Sequence, residues 1–252
     1  MQGLRRFFVE EIIDQNGLCS IKGTEAKHIA KVLRMRPGDH FVLMDNNGRR
    51  FQAVIDSVNP REVIAKLEKS LPNPPTSPIE IILCQALLKS AAMDYIIQKA
   101  SELGVESILP FSSIRSVSRP EAERVENRVR HWREIARSSA KQSGRHIPAK
   151  IASIFDFEEL METWKGIDAC KVIFWEDEGS KDLKGILRSV KTIKKFVGVV
   201  GPEGGFEKDE VKSAMDAGFI TVSLGNRILR SETAAVAFAA IVQYELGDLV
   251  LL

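Results

Sequence analysis

Four prolines stand within seven residues, at positions 72, 74, 75 and 78, and neither a helix nor a central strand can pass through them. Each removes a backbone donor and fixes φ, so 72–78 must run as a stiff, extended connector. The apolar pattern changes across it. Before the prolines, residues 51–55 (FQAVI) and 63–67 (VIAKL) are short β-branched runs bounded by the turn signals Asp45-Asn46-Asn47-Gly48 and Asn59-Pro60. One short helix is expected among them, with Ala26, Ile29, Ala30 and Leu33 at helical spacing behind Thr24 as N-cap.

After the prolines, strands and helices alternate. Residues 79–83 are apolar almost throughout, as for a strand buried on both faces of a parallel sheet. Met93, Ile96, Ile97, Ala100 and Leu103 line one helix face, which Gly104 stops. A strand over 105–110 and a long helix from near Pro120 follow, the helix burying Val125, Val129, Trp132 and Ala136. Strands are expected over 172–175, 196–200 and 220–224. The last two flank a helix that carries Val211 and Met215 and ends at Gly218, and a final helix runs over 233–246. This alternation means an α/β domain with a parallel sheet. The expected division is a β-rich domain over 1–71, a linker over 72–78 and the α/β domain over 79–252.

Composition narrows the class. Hydrophobic residues make up 44% and charged residues 28%, enough apolar side chains for a real core. No run of roughly 18 apolar residues occurs, as a membrane-spanning helix requires. The opening MQGLRRFFVEEIID has no apolar stretch before a small-residue cleavage site, so a cytoplasmic protein is expected. Cys19, Cys84 and Cys170 are too scattered for a disulfide framework or a Cys-x-x-Cys metal knuckle; buried free thiols and no metal are expected. Net charge is +2, but it is segregated. From Arg115 to Lys150 there are ten Lys/Arg and four Asp/Glu, or +6, leaving 26 minus 30, or −4, for the rest. Such a block points to a polyanionic partner.

Two loops carry the candidate chemistry. The turn Gly201-Pro202-Glu203-Gly204-Gly205-Phe206 leaves an apolar strand at its C-terminal end and enters a helix, where open α/β sheets bind ligands. It is neither a Walker A loop nor a dinucleotide fingerprint, because no Gly-Lys-Ser/Thr follows and the glycine spacing is wrong. The next helix begins Glu207-Lys208-Asp209-Glu210, acids that satisfy the helix terminus and would repel a phosphate. A nucleoside-like ligand without phosphates suits this turn, and Gly204 is expected to be the glycine that a branched side chain cannot replace. The second loop, Leu224-Gly225-Asn226-Arg227-Ile228-Leu229-Arg230-Ser231-Glu232-Thr233-Ala234, places two arginines, a carboxylate and two hydroxyls within ten residues, with the apolar pair Ile228-Leu229 held between the cations.

Together the two loops resemble the C-terminal signature of the RsmE family, the 16S ribosomal RNA uracil-N3 methyltransferases of the SPOUT superfamily. The likeness extends to HIAKVLRMRPGD over 28–39, QKASELGV over 98–105 and SSAKQSGRHIP over 138–148, in order along the chain. It implies an N-terminal PUA-like β-barrel that helps to bind RNA and a C-terminal SPOUT α/β domain whose last segment forms a trefoil knot. It implies S-adenosylmethionine as cofactor, held by Glu176, by Val200, Gly201, Glu203, Gly204 and Gly205, and by Leu224, Gly225, Ile228 and Leu229. Arg230 is then the candidate to stabilise the anion that forms when uracil loses its N3 proton, with Glu232 orienting it or assisting proton removal.

Arg130, Arg133, Arg137 and Lys141 recur at three- and four-residue spacing and are read as a cationic ridge for RNA phosphates, with Arg145 in the loop beyond. Arg5, Arg6, Arg34 and Arg36 extend this reading to the barrel. The final helix is apolar nearly all round, so it needs cover on more than one side, and the resemblance implies a homodimer. The expected partner is 16S ribosomal RNA in the small subunit. Two other readings use the same features: a non-catalytic RNA-binding or assembly factor, and a methyltransferase of this superfamily acting on tRNA or on a ribose hydroxyl.

Overall fold

The computed structural model describes residues 4–74, 76–116, 122–190 and 192–249. They group into two units: the residues up to 74 with Ala140–Pro148, and Thr76–Ser139 with the residues from Ala149 onward. A linear boundary at the prolines does not anticipate that 140–148 group with the first unit.

In the first unit β1 (Arg6–Val9), β2 (Leu18–Lys22), β3 (His40–Asp45), β4 (Arg50–Val58) and β5 (Glu62–Ser70) form a five-stranded sheet in the order β1-β3-β4-β5-β2. Only β1 and β3 pair in parallel. The register shifts after Gln52 and after Ile55, and such irregularities bend a strand; the sheet encloses Phe7, Ile21, Phe41, Leu43, Ile55 and Val63. The helix expected behind Thr24 is α1 (Gly23–Lys27), capped at Lys22 rather than Thr24. It continues as a π-helical turn over His28–Val32, where the Leu33 amide donates to the His28 carbonyl. The wider turn displaces the apolar stripe: Ala26 and Ile29 are buried, whereas Ala30 and Leu33 are half-buried.

The second unit runs β6 (Glu80–Ala86), α2 (Ser90–Glu102), β7 (Ser107–Ser112), α3 (Ala122–Ser143), β8 (Lys150–Ile151), β9 (Phe155–Asp156), α4 (Phe157–Trp164), β10 (Cys170–Phe174), α5 (Leu183–Ser189), β11 (Lys195–Val200), α6 (Lys208–Asp216), β12 (Ile220–Val222) and α7 (Ser231–Leu246). The last turn of α3 is among the residues that group with the first unit. Every strand pair of this sheet is parallel, in the order β12-β10-β11-β6-β7-β8 with β9 on β7. Alternation along the strands makes two cores. Ile81, Leu83, Val172, Phe196 and Val200 pack toward α2, α3 and α7, while Ile82, Cys84, Ile173, Val197 and Val199 pack toward α4 and α6.

Val129, Trp132 and Ala136 of α3 are buried and Val125 packs against them; the expected start near Pro120 lies outside the described residues. Gly104 ends α2 at φ +86°. Met215 is 52% exposed, because α6 buries Glu210, Val211 and Ala214 and turns at Gly218 to bring Phe219 into the core. Helices α4 and α5, of eight and seven residues, are too short to stand out as a period. The three cysteines are buried and free, and burial pushes the Cys170 thiol up to about 11. Among the described residues no helix is long and apolar enough to cross a membrane.

Helix α7 rests on β11 through Phe238. A Cβ placed on Gly198 would lie 2.5–2.8 Å from three carbons of that ring, so only glycine admits this approach. Gly198→Ala is therefore expected to cost about 1–3 kcal/mol through overpacking. Thermal or denaturant unfolding checks this, and Phe238→Leu in the same chain should restore part of the loss.

Candidate active site

The parallel strands of the second unit deliver a set of loops to their C-terminal edge, and a cavity of about 1080 Å³ opens there. One wall is the glycine turn, Val200 to Phe206; the other is the loop from Val222 into α7. Phe174 at the end of β10, with Trp175 and Glu176 after it, enters the same space, and Lys89 with Ala91 and Ala92 borders it at the start of α2. Val200 and Gly205 are buried, Gly201, Leu224 and Leu229 are half-buried, and Ile228 is 89% exposed. All ten residues named for cofactor binding, and Arg230 with Glu232, line this one cavity.

The glycine turn is held from outside. Ser231, the first residue of α7, donates to the Gly201 carbonyl at 2.6 Å and accepts from the Gln85 side-chain amide at 3.0 Å. Arg115, in the loop after β7, donates to the Gly204 carbonyl at 2.8 Å and to Glu207 at 2.8 Å. Glu210 is buried yet satisfied: it accepts from the Ser113 hydroxyl at 3.2 Å and from the amides of Ile114 and Glu207 at 2.9 Å each. That carboxylate occupies the amide at the start of α6, so the helix terminus offers little to a phosphate. Glu178 faces the cavity's rim and accepts from Thr221 at 2.5 Å and from the Ser180 hydroxyl and amide; these donors hold its carboxyl at about 2.

Arg230 is exposed, caps α7 with an extended backbone and makes no ion pair with Glu232 among the described residues. Glu232 is half-buried. The residues missed in the sequence are Lys89, Gln85, Arg115 and Glu178. Each is a single polar position inside an ordinary-looking segment, and no local motif marks any of them.

The cations named for a polyanion fall into both units. In the second unit Arg130 is exposed, and alone of the four on α3 it meets no partner among the described residues. Arg133 donates to the Ile151 carbonyl at 3.2 Å and so keeps an unneutralised charge, while Arg137 pairs with Glu134 at 2.9 Å. In the first unit Lys141 pairs with Glu25, so it is not a free member of a ridge. Arg145 is half-buried and engaged, and Arg5, Arg6, Arg34 and Arg36 are exposed. Arg50, not foreseen, is half-buried; its Nη1 donates to the Pro72 carbonyl at 2.8 Å and its Nε is buried without a partner. Burial and the nearby Arg6 cation both lower its pKa.

Comparison with known proteins adds to this geometry. A family model described as an RNA methyltransferase domain matches residues 75–243, and one described as an RNA methyltransferase PUA domain matches 21–68. Ribosomal RNA small subunit methyltransferase E of Bacillus subtilis is 28% identical over 248 residues, covering 96% of this chain and 97% of that one. The protein of the same name from Mycobacterium bovis is 31% identical over 238 residues, covering 93% and 90%. The crystal structure of ribosomal RNA small subunit methyltransferase E from Neisseria gonorrhoeae, bound to S-adenosyl methionine, superposes with a TM-score of 0.88 at 31% identity, covering 98% of this chain and 100% of that one.

Of the pair Gly204-Gly205, Gly205 is the one whose place in the fold demands glycine. Gly205 is at φ +72° with the Glu176 carboxylate against its Cα, whereas a Cβ on Gly204 would meet Arg115 at an ordinary 3.4 Å. Gly205→Ala should lose about 1–2 kcal/mol by forcing an L-residue into the left-handed region. Gly204→Ala should unfold within a few tenths of a kcal/mol of the parent. Parallel melting curves of the two variants check the assignment.

Proposed function

Since the chain belongs to the ribosomal RNA small subunit methyltransferase E family, we propose that it transfers a methyl group from S-adenosylmethionine to N3 of a uridine in 16S ribosomal RNA. The observation that carries this reading is the single cavity that gathers the glycine turn, Arg230 and Glu232 at the ends of parallel strands. Its volume of about 1080 Å³ is at the upper end for one small ligand, which leaves room for a base beside a methyl donor.

The lining fits S-adenosylmethionine. Phe174, Leu224, Ile228 and Leu229 offer apolar surface to a purine, and the glycine turn brings backbone donors and acceptors close. Glu176, Glu203 and Glu232 border the cavity beside Lys89, Arg227 and Arg230, a mixed rim that suits a zwitterionic donor, while Glu210 occupies the amide at the start of α6. When bound, S-adenosylmethionine supplies a methyl group already activated by its sulfonium, which leaves alignment and one proton to the chain. Arg230 stabilises the negative charge that develops on uracil as N3 loses its proton. Glu232, two residues further along at the start of α7, orients that guanidinium or takes the proton.

RNA phosphates would be met in the second unit by Arg130 and Arg133, and in the first by Arg5, Arg6, Arg34 and Arg36, with Arg50 beside Arg6. The family reading carries the trefoil knot of the last segment with it, and in this fold Ser223 lies beside 181–183, its amide donating to the Lys181 carbonyl and its carbonyl accepting from the Leu183 amide. The activity belongs in the cytoplasm, where ribosomal subunits are made.

Arg230→Ala should lower kcat by about 10²–10³-fold, the usual loss when one donor to a developing anion is removed. RNA affinity should fall by less than about tenfold. Single-turnover kinetics beside filter binding separate the two, and equal losses would make Arg230 a residue that positions RNA.

The reading extends to a homodimer. Helix α7 buries Ala234, Ala235, Phe238, Ala239 and Val242, but Tyr244 is 61% and Ile241 37% exposed. Beside them Ala91, Ala92 and Tyr95 of α2 and Val236, Ala237 and Ala240 of α7 line a second, apolar groove that shares Ala91, Ala92 and Glu232 with the main cavity. A second copy on this face would cover it and adjoin the site. Sedimentation should find a dimer at assay concentration, and Ala237→Arg should give a monomer with reduced turnover. Mixing Arg230→Ala chains with Arg133→Ala chains should recover part of the activity if the two residues act across the pair; an active parental monomer would rule out the dimer.

A further inference from the structure

Gln85 is a polar side chain at a position where the sheet is otherwise apolar. It lies near the C-terminal end of β6, in register with Val200 of β11 and Pro110 of β7, and is fully buried with Cys84, Ala86, Leu87 and Leu88. Its amide nitrogen donates to Ser231 Oγ at 3.0 Å and to the Ala86 carbonyl at 3.1 Å, while its Oε1 has no partner among the described residues. Ser231 donates in turn to the Gly201 carbonyl at 2.6 Å. A serine hydroxyl has one proton, and with that proton on Gly201 it can only accept from Gln85. The line therefore has one direction, from Gln85 amide to Ser231 hydroxyl to Gly201 carbonyl. An apolar side chain of the same size would fill the space without burying an unpaired oxygen, so packing alone does not account for glutamine here.

We infer that Gln85 is a positioning residue for methyl transfer, which through Ser231 sets where the Gly201 turn stands against the first turn of α7. The inference rests on the reading of the cavity as the donor and base site. Gly201 opens one wall, and Arg230 and Glu232 flank Ser231 on the other. Two hydrogen bonds thus fix the spacing between the wall that holds the donor and the groups that handle the base. Gln85 itself is not among the residues that line the cavity. Alignment matters steeply in such a reaction, since a misplacement of about 1 Å costs on the order of 10²-fold in rate.

The test uses Gln85→Met, Ser231→Ala, the double variant and Ser231→Thr in the full chain. Three quantities are read: hydrogen exchange of the amides at 201–205 without cofactor, calorimetric affinity for S-adenosylmethionine, and kcat and KM on small-subunit RNA. Gln85→Met and Ser231→Ala should each speed exchange at 201–205 and lower kcat by about tenfold, with KM for RNA unchanged. The double variant should be no worse than Ser231→Ala, because Gln85 acts through that hydroxyl. Ser231→Thr should recover most of what Ser231→Ala loses. Losses that multiply in the double variant, or unchanged exchange and kcat in a folded Gln85→Met, overturn the inference. If Gln85→Met does not fold, the serine pair decides: equal exchange and kcat in Ser231→Ala and Ser231→Thr overturn it. A parent chain that binds no S-adenosylmethionine would instead refute the reading of the cavity, while exchange at 201–205 would still judge the relay.

Discussion

The seat of Phe238 on Gly198 is the contact from which the geometry of the cavity descends. With no Cβ between them, α7 lies directly on β11, and the ring is fixed further by Phe174 and Phe196 at centroid distances of 5.5 and 5.9 Å. That placement brings Ser231, seven residues before Phe238, to the Gly201 carbonyl at 2.6 Å. Once the end of β11 and the start of α7 are fixed, the loop from β12 to α7 has to cross above the strand ends. The cavity is enclosed as a consequence. The same contact therefore serves the core and the site, and a change at Gly198 should disturb both.

Charge in the site follows from what caps α6. A helix N-terminus after a glycine turn is ordinarily a place for anions. Here Glu210 is buried with three donors, two of them from the segment after β7, and it satisfies the Glu207 amide itself. A phosphate would have to displace a carboxylate that is fully provided for. Acids and cations share the rim, Glu176, Glu203 and Glu232 beside Lys89, Arg227 and Arg230, while Arg130 and the exposed arginines of the first unit lie outside this cavity. The net charge of +2 conceals this separation.

The legible parts of the sequence are those whose determinants are contiguous. The glycine turn and the 224–234 loop each contain most of one cavity wall, and alternation within β6, β10 and β11 marks strands buried on both faces. What was illegible depends on partners far along the chain. Arg133, Arg137 and Lys141 have the spacing of a ridge, but Ile151, Glu134 and Glu25 decide what each charge does. Within Gly204-Gly205 nothing local tells which residue takes positive φ. It is Gly205, because the chain must reverse there for Phe206 to pack against Phe111 and Phe157. Gln85 sits in an apolar run where one amide leaves the pattern unchanged, so only the fold reveals its bond to Ser231. The π-helical turn after α1 likewise follows from the wider hydrogen bond between Leu33 and His28, which residue spacing does not specify.

A turn rich in glycine meets two opposed demands. Small residues let a ligand approach the backbone, yet they provide no side chains by which the turn can hold its own shape, and glycine has the most conformational freedom to lose. The structure resolves this by fixing the turn from outside, at three points on three elements. Ser231 of α7 takes the Gly201 carbonyl, Arg115 after β7 takes the Gly204 carbonyl, and Glu176 after β10 lies against the Cα of Gly205. For a reaction whose methyl group arrives already activated, rate depends mainly on how well two partners are aligned. Rigidity supplied by distant elements is then part of the chemistry, and it explains why residues outside the cavity belong to the description of the site.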